Sequence, residues 1–267
     1  VIDIVTISCN DDPIYWEFWN PISKHWKQQF GIHPVLFYYG QKNQSLSEEH
    51  GTVIYHDVLE GVPDYVAATW GRFWVTKFFP NKMCLVSDID MFPLSKHFFI
   101  NAPTKKTAYT HLNSGAYHGG NPCTWLHKGM SVPVCYHLAS SDVIMDVYGF
   151  DNSYEIELNK LLNADYTEYG NKFSDTGEHH LQRASFANGG MWGIDEMYSS
   201  MLLRSWIGRT GEFISSSQIT TSDRLCRSRL WAQLMGNNTR KFIDFHSTRP
   251  YTEYKTVIHS ILDSFVS

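Results

Sequence analysis

No stretch of this chain approaches the roughly 18 consecutive apolar residues that a membrane span requires. The greasy run nearest the start, Val1 to Ile7, carries Asp3 and is too short for a signal peptide. A basic excess is missing as well. Lys and Arg number 22 against 27 Asp and Glu, a net charge of −5. Phosphate neutralisation along a nucleic acid needs a basic face, so no nucleic-acid partner is expected. Cysteine is sparse and odd in number (Cys9, Cys84, Cys123, Cys135 and Cys226), with no CxxC spacing. That excludes a disulfide framework and a zinc knuckle, and implies free thiols in a reducing compartment. The expected localisation is cytoplasmic. The sequons Asn43-Gln-Ser45 and Asn237-Asn-Thr239 point instead to a secretory lumen, were an anchor to precede Val1. Internal repeats, low-complexity tracts and Pro/Gly-rich linkers are all lacking, which leaves residues 1–267 as one domain.

What is present is a globular composition, 43% hydrophobic and 18% charged over 267 residues, ample for a proper core. Aromatic residues reach 15%. Such rings stack on the flat faces of sugars and bases, or simply fill a core, and composition does not separate the two.

The first third alternates in type. The β-branched run Ile2 to Ser8 reads as a buried strand. Asp12 then caps a helix with Pro13 at its first position, and the helix runs to Phe30, where Gly31 ends it. Val35 to Tyr39 and Thr52 to Tyr55 read as strands, Pro63 to Phe79 as a helix, and Met83 to Val86 as a fourth strand. This order predicts an α/β fold with a mostly parallel sheet, whose ligands bind beyond the carboxyl ends of the strands. Asn10, Asp11, Asp88 and Asp90 lie at such ends. The middle of the chain is looser, with short helices over Asp142 to Tyr148 and Glu155 to Leu162. A helix from Asp195 to Trp206, another from Ser222 to Gln233, a strand from Phe242 to Phe245 and an amphipathic tail, Tyr254 to Phe265, complete the prediction.

The informative segment is Met83-Cys-Leu-Val-Ser-Asp-Ile-Asp-Met-Phe-Pro93. A hydrophobic strand delivers two carboxylates with one residue between them, and in extended backbone such residues face the same side. Asp88 and Asp90 are thus expected to address one cation. Oxygen ligands suit Mn²⁺ or Mg²⁺, which also bind phosphate oxygens. Because Asp90 ends a strand, its loss is expected to leave the core closed. Haloacid-dehalogenase-like phosphatases share a DxD after a strand. However, Phe92 stands where they usually have Thr or Val, and their motif normally sits on the first strand. A non-catalytic carbohydrate-binding protein is the other alternative, but it has no need of a carboxylate pair.

The run as a whole resembles the GT-A glycosyltransferases, which use nucleoside-diphosphate sugars. The resemblance rests on a helix with an arginine, Ala67-Ala-Thr-Trp-Gly-Arg72, leading into the Asp88-Ile-Asp90 strand. It continues in Asn188-Gly189-Gly190-Met191-Trp192, in Ser222-Asp223-Arg224 and in the late Phe245-His246-Ser247. It covers residues 1–100 and about 186–250. It implies a GT-A-like, Rossmann-related fold, with residues 1–100 as the nucleotide-sugar-binding half and 101–267 as the acceptor-binding half. It further implies a metal-dependent transfer of a sugar to a glycan acceptor, by an inverting route or by a retaining one, which would need no base. The implied donor is a UDP-sugar, UDP-xylose among the options.

In that resemblance Ser8, Cys9 and Asn10 would meet the nucleoside. Asp88 would hold the ribose or a water on the metal, and Asp90 and His246 would ligate Mn²⁺ or Mg²⁺. Arg72 and Lys77 would neutralise diphosphate or pin the aspartates. Asn188, Gly189 and Gly190 would let backbone approach the sugar. The base that an inverting transfer needs would be Asp223, then Asp195 or Glu196, then Asp175 or Glu178. His118, Trp125 and Trp192 would contact the acceptor.

Overall fold

The computed structural model describes residues 1–112, 132–166, 193–210, 212–215, 224–228, 230–236 and 242–265. Its frame begins with strand β1 (Ile4–Asn10), followed by the short helices α1 (Pro13–Trp16) and α2 (Trp19–His25). Asp12 caps α1, its carboxylate accepting from the Ile14 amide at 3.0 Å, with Pro13 at the first helical position. The single helix expected up to Phe30 is broken. Pro21 has no amide to bond back to Glu17, and its ring crowds the carbonyl four residues earlier, so the chain restarts at Trp19. A π-helical turn, Trp26–Phe30, follows, and Gly31 closes it in the left-handed conformation at φ 69°.

Next come β2 (His33–Tyr39), β3 (Thr52–His56), helix α3 (Asp64–Trp74) with a 3₁₀ turn (Val75–Phe78), and β4 (Met83–Val86). The chain then gives β5 (Met91–Pro93), α4 (Lys96–Ile100), β6 (Tyr109–His111), β7 (His137–Ser140), α5 (Ser141–Tyr148) and α6 (Tyr154–Leu162). The last described elements are α7 (Ile194–Thr210), β8 (Phe213–Ser215), β9 (Arg224–Cys226), α8 (Leu230–Gly236), β10 (Asp244–His246) and α9 (Tyr251–Phe265).

Seven strands form one mixed sheet in the order β3-β2-β1-β4-β7-β6-β8. The expected parallel pairing holds for β3-β2-β1-β4 and for β6 with β8, while β7 runs antiparallel to both of its neighbours. Alternate side chains divide between the faces, as a strand's period of two requires. Val5, Ile7, Leu36, Tyr38 and Leu85 pack on one side with α2 and α9, and Ile4, Val35, Phe37, Cys84 and Val86 on the other with α3, α5, α6 and α7. The aromatic surplus goes largely to this core: Trp19, Trp26, Trp70, Trp206 and Tyr38 are fully buried. Among the described residues no helix is long and apolar enough to cross a membrane.

The second half departs from expectation at 222–233. Arg224–Cys226 is a strand, parallel to β10, and only Leu230–Gly236 is helical. The Arg224 guanidinium grips the fully buried Asp244 carboxylate of β10 through Nε at 2.9 Å and Nη2 at 2.7 Å, and Leu225 enters the core. That tertiary pairing overrides a helical pattern. Together β5, β10 and β9 make a second, three-stranded sheet.

Three buried histidines are held neutral. The His25 Nε2 donates to the Pro93 carbonyl at 2.7 Å, and those of His111 and His137 to the Pro133 carbonyl at 2.9 and 2.5 Å. His137 Nδ1 therefore accepts from the Tyr109 hydroxyl at 2.6 Å, the head of a chain running through Tyr148 to Ser199. Burial lowers His25 and His111 to about 4 and His137 well below its ordinary value. The unfolded chain protonates these rings near pH 6.5. Below that pH it binds protons the native state refuses, so stability falls as pH drops from about 6.5 through about 4. Urea midpoints are expected to decline steadily between pH 6.5 and 5, and equal midpoints at the two values would refute this assignment.

Candidate functional site

The carboxyl ends of β1 and β4 lie side by side, tied by the Ser87 amide donating to the Thr6 carbonyl at 3.0 Å. Ser8 and Asn10 are half-buried here, whereas the Cys9 side chain packs in the core, so it offers a ligand only its backbone. Asp11 accepts a hydrogen bond from the Tyr38 hydroxyl, and Asn43 Nδ2 reaches that hydroxyl at 3.4 Å.

The strand ends at Val86 and the chain turns at Ile89 and Asp90 before β5 begins. The extended geometry expected to aim Asp88 and Asp90 at one point is therefore absent, and the two carboxylates go to different partners. Asp88 is paired with Arg72 of α3. The other arm of that guanidinium holds Asp195, in the first turn of α7, at 2.8 Å. Arg72 is 4% exposed and Asp195 5%. Arg72 Nε has no hydrogen-bond partner among the described residues, so the two carboxylates are what offset the burial of its charge. Glu196, beside Asp195, is pushed up to about 8 by burial and by the neighbouring charges of Asp195 and Asp88.

Asp90 is buried and faces three cationic groups. Its Oδ2 is 2.8 Å from Arg227 Nη1 and 3.4 Å from both His246 Nε2 and Arg249 Nε. Burial opposes its charge, but His246, Arg249 and Arg227 outweigh that and hold the carboxyl well below its usual range. Backbone pairing fixes the arrangement. Met91 lies opposite His246 in the β5–β10 ladder, the Ser247 amide donates to the Asp90 carbonyl at 2.9 Å, and the Arg227 amide donates to the His246 carbonyl at 3.0 Å.

Burial works against the His246 cation, yet the Asp90 carboxylate and Cys226 raise this imidazole to about 9. Cys226 is lowered to about 6, first by its hydrogen bond with His246 and, against the cost of burial, by Ser228, whose Oγ is 3.3 Å away. The signs for stability are opposite. The His246 contribution is complete below about 6.5 and is lost as pH rises through about 9, while that of Cys226 is complete near 9 and is lost as pH falls through about 6. The pair therefore offsets itself across the neutral range, and Glu196, raised to about 8, opposes only part of the acid-side loss from the three buried histidines.

The structure thus brings Arg72, Asp88 and Asp195 into contact, and Asp90 with His246. It separates Lys77, whose Nζ donates to the Asn152 carbonyl at 2.9 Å and lies 5.0 Å over the Trp74 ring. Asn188, Gly189, Gly190 and Asp223 lie outside the described residues, as do Asp175, Glu178, His118, Trp125 and Trp192. Arg227 and Arg249 were not foreseen. Each is an isolated arginine with no local pattern, brought in by the pairing of β10 with β9 and β5. A cavity of about 550 Å³ lined by Asn81, Lys106, Ser140, Asp142 and Trp206 belongs elsewhere, because Ser140 pairs with Met83 at the opposite end of β4.

No protein-family model matches this chain, and no curated protein matches it either. The chemistry must therefore be read from the side chains. Beyond the carboxyl end of β4, Asp90 gathers two half-buried arginines and a histidine, while Asp88 turns to Arg72. That arrangement suits an anionic ligand held near a carboxylate–imidazole pair. Among the described residues no three His, Cys, Asp or Glu side chains form a ready-made metal cage.

Proposed function

We propose that the chain is a glycosyltransferase of the GT-A type, which uses Mn²⁺ or Mg²⁺ to move a sugar from a UDP-sugar donor to a glycan hydroxyl. One observation carries the reading. The β5–β10 ladder sets His246 Nε2 3.4 Å from Asp90 Oδ2, an ion pair in the metal-free protein that would become two ligands once a cation displaces the imidazole proton. Two donors that share one cation at about 2.1 Å stand roughly 3.0–3.4 Å apart, so the pair fits two corners of a divalent site. Asp90 and His246 would hold the ion, which neutralises charge on the departing diphosphate.

The protein's own residues supply the rest. Arg227 and Arg249, half-buried beside Asp90, are placed to turn from that carboxylate to the diphosphate, and planar guanidinium groups suit phosphate oxygens. Asp88 faces the donor from the turn after β4, and Ser8 and Asn10 line the end of β1. Asp195, committed to Arg72, is not available as the acceptor's base. Glu196 holds its proton at neutral pH, so the base for an inverting transfer would be Asp223, or failing it Asp175 or Glu178.

Thermal shift tests the donor assignment. A ligand that binds only the folded state adds RT ln(1 + [L]/Kd), about 2.7 kcal/mol at 100-fold over Kd. For a chain of this size that is about 5–10 °C. UDP with Mn²⁺ is expected to give such a shift, and UDP alone a smaller one. No shift under either condition would remove the nucleotide-sugar reading and favour a lectin, which has no use for UDP.

A further inference from the structure

We propose that Asp195 is a positioning residue for the donor site: it holds one arm of the Arg72 guanidinium so that the other arm fixes the Asp88 carboxylate. The proposal rests on the donor reading above, and it replaces the role of base that the sequence suggests for this aspartate.

Three elements remote in sequence meet in the contact. Arg72 comes from α3, Asp88 from the turn beyond β4, and Asp195 from the first turn of α7. The guanidinium is planar and rigid, so anchoring Nη2 on Asp195 at 2.8 Å sets the direction in which Nη1 meets Asp88. Burial makes the anchor strict, since Asp195 and Arg72 are both at least nine-tenths covered. Asp88 is the exposed member, with 30% of its side chain open, and it stands where a ligand beyond the sheet would touch it. A base, by contrast, needs an open oxygen within hydrogen-bond reach of the acceptor. The buried end of the triad meets the fold, and the open end meets the ligand.

The test compares Asp195→Asn with the double variant Arg72→Met/Asp195→Leu, reading melting temperature and, by calorimetry, the affinity for UDP with Mn²⁺. The amide keeps the shape of Asp195 but not its charge, so Arg72 is held by a neutral hydrogen bond in place of a charge-assisted one. Asp195→Asn is expected to melt lower and to bind UDP with Mn²⁺ at least about 10-fold more weakly. Replacing a buried ion pair by apolar side chains of similar volume often restores stability. The double variant is therefore expected to regain most of the melting temperature and none of the affinity. Wild-type affinity in Asp195→Asn, or affinity that returns together with stability in the double variant, would make Asp195 a purely structural anchor and overturn the proposal. A wild-type protein that binds neither UDP nor GDP with Mn²⁺ would overturn the donor reading itself, and the positioning role with it.

Discussion

Asp90→Ala is expected to abolish sugar transfer and also to destabilise the protein by about 3–5 kcal/mol, the cost typical of breaking a buried, paired charge. The loss of turnover follows from the proposed role, since Asp90 is one of the two side chains that would hold the cation. The loss of stability follows from the contacts. Without its carboxylate, Arg227, Arg249 and His246, each only partly open to solvent, face one another within 3.4 Å of where Oδ2 stood. This expectation is the opposite of the one drawn from sequence, which placed Asp90 at a strand end and not against three cationic groups. Urea unfolding of the variant checks the stability half, and a transfer assay with a UDP-sugar and Mn²⁺ checks the other. A variant with a wild-type urea midpoint would mean that the three cationic groups do not depend on Asp90.

The difference between what was legible and what was not is one of range. Strands β1 to β4 are visible in the sequence because β-branched and aromatic runs of four to seven residues carry their own signal, and Met83–Val86 has the expected bounds. Asp12, Pro13 and Gly31 are equally local: a cap, a first-turn proline and a left-handed glycine act within a few residues. Of the three-residue strands, β10 was expected two residues early, at Phe242 to Phe245, whereas β5 and β9 show no period of two over so short a length. They exist because Arg224 reaches Asp244 and Met91 lies opposite His246, and no window along the chain holds both partners.

The site divides the same way. Asp88 and Asp90 stand out because two acids directly follow a greasy strand. His246 and Arg72 enter through the resemblance to GT-A enzymes, not through any spacing. Arg227 and Arg249 could not be chosen from among the other basic residues, since an arginine looks the same in sequence whether it is solvated or aimed at a buried carboxylate. The division of labour between Asp195 and Glu196, adjacent in sequence, also depends on packing. One side chain meets Arg72, and the other is left with a proton affinity raised by burial and by its neighbours.

Arg72→Met should be among the most destabilising single substitutions on α3. Methionine fills much of the same volume, so the expected loss is electrostatic and does not come from a cavity. Asp88 and Asp195 would lose their shared counter-charge, and Asp195, at 5% exposure, has no route to water. Breaking such an interaction costs about 3–5 kcal/mol. At about 2–4 °C per kcal/mol for a chain of this size, the melting temperature should fall by roughly 6–20 °C. Asp88→Asn is expected to cost far less, because 30% of that side chain is open and solvent replaces part of what the guanidinium supplied. Arg72→Lys should fall between them: an ammonium keeps the charge but lacks the fork that reaches two carboxylates at once. Calorimetric melting of the three variants gives the order. If Asp88→Asn proved as damaging as Arg72→Met, the buried arm on Asp195 would not be what makes Arg72 essential, and the exposed arm would carry the stability instead.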